Sequence, residues 1–211
     1  KRALQLLTVM VLVLTATFME ALIWVNDIGR SLVDGASEPC ENMVTAGADL
    51  YFKANADIMT LFAETEMAPG EEYNYSKALT SVQASLGYLN EAKTNYVQAA
   101  QLATSAGYIQ SEIDLLKNYD YDTLAVAQGL NNNIKEKVKV FLKNGDVAGY
   151  YQEIAVRLED VMTTLKVLEK NLQEKTKPQI AVVWEAVQKI SDLTLFGNYG
   201  TVMSMAAFSK S

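Results

Sequence analysis

The chain has no histidine, one cysteine, three prolines and eleven glycines in 211 residues. Without histidine it lacks the commonest general base, the commonest zinc ligand and every Ser–His or Cys–His nucleophile pair. Di-iron helical bundles, which need Glu-x-x-His pairs, are excluded on the same ground. No GxGxxG, P-loop or Gly-x-Ser-x-Gly pattern occurs. The expectation is a protein that is not an enzyme and holds no cofactor or metal. A single cysteine, Cys40, rules out an intrachain disulfide. Its context, Ser37-Glu38-Pro39-Cys40, is neither a CxxC motif nor a lipobox. We expect a half-buried residue in the first turn of a helix, the competing use being an intermolecular disulfide. Basic residues are also short: 18 Lys and Arg stand against 25 Asp and Glu, a formal charge of −7. That sign excludes a dedicated nucleic-acid binder.

Few prolines and glycines, in a chain that is half hydrophobic, suit long uninterrupted helices. The clearest one spans Tyr150 to Leu172. Tyr151, Ile154, Leu158, Val161, Leu165, Leu168 and Leu172 alternate in steps of three and four, which lays one narrow apolar stripe along a helix. Similar stripes run from Met43 to Leu61 and from Leu79 to Ala103, the latter interrupted only by Lys93. A lysine there can bury its stem and keep its charge at the rim. The Leu79–Ala103 helix is rich in alanine, so its neighbours can approach closely. A further helical pattern from Ile109 to Phe141 carries a polar break at Asn118–Asp122 and a lysine-loaded end (Lys135, Lys137, Lys139, Lys143). A last helix is expected from Ile180 to about Phe196. Pro69-Gly70 marks a loop over Met67–Tyr75, and Asn144-Gly145-Asp146 a tight turn.

The N-terminus differs. Lys1 and Arg2 precede a stretch without charge from Ala3 to Met19, then Glu20, then Ala21 to Val25. A basic start and an apolar run read as a secretion signal or a membrane anchor. From Phe18 the pattern turns amphipathic, and its stripe continues from Leu4, Leu7, Val11 and Leu14. One helix through residue 33 is therefore expected, serving as signal, anchor or packing element. The expected fold is all-α: an antiparallel bundle of four to five long helices over residues 37–196. The N-terminal hydrophobic helix (1–33) precedes it and an apolar tail (197–211) follows.

Candidate binding residues follow from the pattern. With the helices antiparallel, the Met67–Tyr75 loop and the Asn144–Asp146 turn share an end of the bundle. Tyr73, Tyr75, Tyr150 and Tyr151 would then gather there, either as a recognition surface or as rings closing the core. Tyr119 and Tyr121, in the polar break, form a second candidate. The function expected is a non-enzymatic, extracytoplasmic role in the cell envelope, structural or partner-binding. It involves a protein partner or self-association, and a membrane through residues 3–25. The alternative is a ligand-sensing periplasmic four-helix bundle.

Overall fold

The computed structural model describes residues 38–67, 73–104, 108, 110–121 and 132–208. The expectations for residues 1–33 fall outside them. Six helices make up the described residues: α1 (Glu38–Met67), α2 (Tyr75–Leu102), α3 (Gln110–Asn118), α4 (Asn132–Lys143), α5 (Val147–Gln173) and α6 (Ile180–Phe208). The described residues are all-helical in architecture, with the helices packed on one another.

The ends of the helices follow from local chemistry. Asn74 caps α2 by accepting the Lys77 amide at 3.0 Å, and Asp146 caps α5 by accepting the Gly149 amide at 2.8 Å. Gly145, at φ 66°, takes the left-handed turn between α4 and α5 that the Asn-Gly-Asp sequence announces. Every residue of the Tyr151–Leu172 stripe is buried. Lys93 sits at the α2–α5 rim and pairs with Glu159 at 2.7 Å, the outcome expected of a lysine on an otherwise apolar stripe.

The four long helices form a closed ring in the order α1, α2, α5, α6. Each neighbour runs antiparallel to the next. Lys77 pairs with Glu64 across α1 and α2, while Cys40 reaches Ala99 at their other ends. Gln83 meets Glu169 and Lys93 meets Glu159 across α2 and α5. Lys189 meets Asp160 across α5 and α6, and Tyr150 reaches Phe196 further along. Across α1 and α6, Phe62 lies on Trp184 and Tyr51 against Gly197. The closest packing is of α2 on α1 and on α5. Ala78, Ser85, Ala92, Ala99 and Ala100 are the buried small residues that let these backbones approach.

Two expectations need correction. The region from residue 109 to 141 divides at the polar stretch where a break or kink is expected, but its two helices do not span the bundle. It breaks at Asn118, where the polar Asn118–Asp122 run begins, into α3 and α4 of 9 and 12 residues. Both stay at the end where α2 stops: a Cβ on Gly145 would touch Ile113 and Lys117 of α3, and Phe141 of α4 packs on Phe196 and Tyr150. The chain therefore does not cross the bundle between α2 and α5. The second correction concerns residues 197–208, expected as a glycine-broken tail. They continue α6 without interruption to Phe208, because Gly197 and Gly200 serve close approach rather than a turn.

Candidate functional site

Three groups of tyrosines organise the molecule, and all six expected site residues fall into one or another. The structure does not gather Tyr73 and Tyr75 with Tyr150 and Tyr151. Because α3 and α4 fold back, the two pairs lie at opposite ends of the bundle.

The largest group is buried at the end formed by the start of α1, the end of α2 and the start of α5. Tyr51, Tyr96, Tyr151 and Tyr150 form a chain of ring contacts, with centroids 6.2, 6.2 and 5.6 Å apart in that order. Tyr150 continues it onto Phe196 at 5.2 Å, and the Arg157 guanidinium lies 4.2 Å over the Phe196 ring. The Tyr108 and Tyr151 hydroxyls share a hydrogen bond of 2.6 Å. Tyr150 donates to the Phe196 and Gly197 carbonyls at 3.0 and 2.9 Å.

Glycines make room for this layer. A Cβ on Gly47 would come within 2.8 Å of the Tyr96 ring, one on Gly197 within 2.7 Å of the Tyr51 hydroxyl, and one on Gly200 within 1.9 Å of the Tyr150 hydroxyl. Each ring tip thus enters a notch in a facing backbone. Sequence reading found Tyr150 and Tyr151 but missed Tyr51, Tyr96 and Tyr108. The available signal was Gly197-x-x-Gly200, two glycines on one helical face.

Burial sets the chemistry of these groups. It pushes Tyr51 up to about 12 and holds Tyr96, Tyr150 and Tyr151 well above the ordinary tyrosine value. Tyr108 rises for the same reason, against the lowering effect of its bond to Tyr151. These hydroxyls stay protonated at neutral pH and act as hydrogen-bonding ring tips. Cys40 is fully buried in the first turn of α1, and its thiol donates to the Ala99 carbonyl at 3.2 Å. Burial pushes that thiol up to about 11, so it carries little thiolate. This is the packing role expected of it, and more complete than half-burial.

At the opposite end Tyr73 and Tyr75 meet edge to face at 5.0 Å, and the Lys177 ammonium lies 5.4 Å from the Tyr73 ring centroid. The Tyr73 hydroxyl is 3.2 Å from that of Thr65. At the same end of the bundle Trp184 packs on Phe62 at 5.1 Å, yet Trp184 and Ile180 each remain 43 % exposed. This is the partly open aromatic surface, and sequence reading missed its Trp184 and Phe62. Trp184 belongs to the apolar pattern of the last helix, and Phe62 lies just beyond the Met43–Leu61 stripe.

The third group, Tyr119 and Tyr121, stands edge to face at 5.1 Å just after α3. Tyr121 is buried and donates to the Leu116 carbonyl at 2.5 Å, which closes the end of α3. Among the described residues no group of three acidic or cysteine side chains is placed to hold a metal ion. No known protein family, curated protein or solved structure matches the chain.

Proposed function

We propose that this is a non-enzymatic helical-bundle protein of the cell envelope, working outside the cytoplasm. The hydrophobic N-terminal segment holds it, and the far end of the bundle engages a protein partner. One observation carries the reading. Residue 38, where that segment joins α1, lies at the end of the bundle opposite Tyr73, Tyr75 and the exposed Trp184–Ile180 surface. A long α1 packed beside a membrane-embedded helix would meet lipid. An α1 that leads away from the point of attachment does not. Exposed aromatic side chains on a firm helical frame are the usual centre of a protein interface.

The test is the intact mass of the protein purified from its native envelope, after separation into membrane and soluble fractions. A membrane-bound chain retaining residues 1–25 supports the anchored form. A soluble chain lacking about the first 20 residues leaves the partner-binding role and ends the anchor.

The ligand-sensing alternative draws on the outer surface of α6 that carries Trp184, Glu185, Gln188, Ser191 and Asp192. A thermal shift with small amphipathic ligands, abolished by Trp184→Ala, would favour it over the partner-binding reading.

A further inference from the structure

Asn74-Tyr75-Ser76 is the only Asn-x-Ser/Thr triplet in the chain. That pattern is the acceptor for an N-linked sugar, and it is frequent enough by chance that its place in the fold decides whether it can be used. An acceptor asparagine needs an exposed turn, a carboxamide nitrogen that the fold does not hold, and an accessible hydroxyl two residues on. The other asparagines of the chain lack that hydroxyl.

Asn74 meets each of these needs. It is exposed and sits at the centre of an inverse γ-turn, with φ −82° and ψ 82° and the Tyr75 amide donating to the Tyr73 carbonyl at 3.0 Å. Such a turn puts the residue at the apex of a chain reversal. Its Oδ1 accepts the Lys77 amide at 3.0 Å and caps α2. The two prongs of a carboxamide diverge, so an oxygen turned toward the helix sends the Nδ2 outward. Ser76, two residues on, is exposed as well. A sugar on Nδ2 leaves Oδ1 an acceptor, so the cap of α2 survives the modification. No buried side chain has to move. The 30 residues of α1 put this end of the bundle about 45 Å from residue 38, clear of the attached end.

We infer that Asn74 is an N-glycosylation site that takes its sugar from a lipid-linked glycosyl phosphate. In that step Nδ2 attacks the anomeric carbon of the sugar and forms the N–C bond. The bond from that carbon to the phosphate oxygen breaks, and the phosphate leaves on its lipid with both electrons of that bond. Nδ2 gives up one proton, and nothing is oxidised or reduced. The inference rests on the extracytoplasmic reading above, since the pattern is used in chains that leave the cytoplasm. It adds a covalent modification at the end of the bundle that carries Trp184. A sugar there limits how a protein partner approaches that surface.

The test is mass spectrometry of the full chain from its native cells, intact and after trypsin. Cleavage after Lys53 and Lys77 isolates residues 54–77, which hold both Asn74 and Ser76. The expected result is a sugar-bearing form of that peptide, with fragmentation placing the sugar on Asn74. Asn74→Asp keeps a capping side chain and removes the acceptor nitrogen, so it should abolish the modification while circular dichroism shows the helices intact. Ser76→Ala should abolish it too, and Ser76→Thr should retain it. An unmodified peptide 54–77 from protein found outside the cytoplasm would overturn the inference and leave the proposed function standing. A sugar that persists in Asn74→Asp would lie on another residue and overturn it as well. Unmodified protein confined to the cytoplasm would remove both.

Discussion

At the residue scale the three glycine notches decide more than any ion pair. Gly197 shows this cleanly, because only the Tyr51 hydroxyl intrudes on its missing Cβ, while the next ring atom lies at 3.5 Å, an ordinary contact. Gly197→Ala should therefore cost about 1–3 kcal/mol by overpacking. In a Tyr51→Phe background the same change should become stabilising by up to about 1 kcal/mol, since alanine is the better helix former. Urea denaturation of the two single variants and the double variant measures the coupling, and additivity would show that the notch is not tight. Cys40 makes a second residue-scale prediction. Its burial and raised pKa should make it react with a thiol reagent only as fast as the bundle opens. Labelling at the rate of a free thiol in the folded protein would contradict the placement of α1 on α2.

At the scale of the helix the stripes determine which side chains matter. Leu165→Ala, in the fully buried α5 stripe, should cost about 2–5 kcal/mol. Val167→Ala, two residues on and 51 % exposed, should stay within about 0.5 kcal/mol. Thermal melts of the pair test the burial pattern directly. This level was readable from sequence, because a stripe in steps of three and four specifies a buried face whatever its neighbours are. Connectivity was not. The polar run at Asn118–Asp122 announced a break, but nothing local said that α3 and α4 would stay at one end, and that misplaced Tyr73 and Tyr75 relative to Tyr150 and Tyr151. The continuation of α6 was hidden for another reason. Gly197 and Gly200 read as breakers until Tyr51 and Tyr150, far away in sequence, fill the space their side chains would take.

At the scale of the molecule the buried tyrosine layer predicts sensitivity to base. A tyrosine whose folded pKa is raised keeps its proton in the fold and loses it on unfolding, so stability is intact below the ordinary value of 10.0 and falls as pH rises past it. Tyr51, Tyr96, Tyr150 and Tyr151 all act in that direction. Helical content should collapse cooperatively between about pH 10 and pH 12, together with a rise in tyrosinate absorbance. Gradual tyrosinate formation while the helices stay intact would mean that the layer is open to solvent. If the bundle is held at one end and gripped at the other, as proposed above, the same layer has a mechanical consequence. Tension between an N-terminal attachment and the Trp184 surface would then run lengthwise through α1, loading its seams with α2 and α6 in shear. Sliding along those seams would require Tyr96 to leave the notch at Gly47 and Tyr51 the notch at Gly197, so resistance to such pulling would be concentrated in those two side chains.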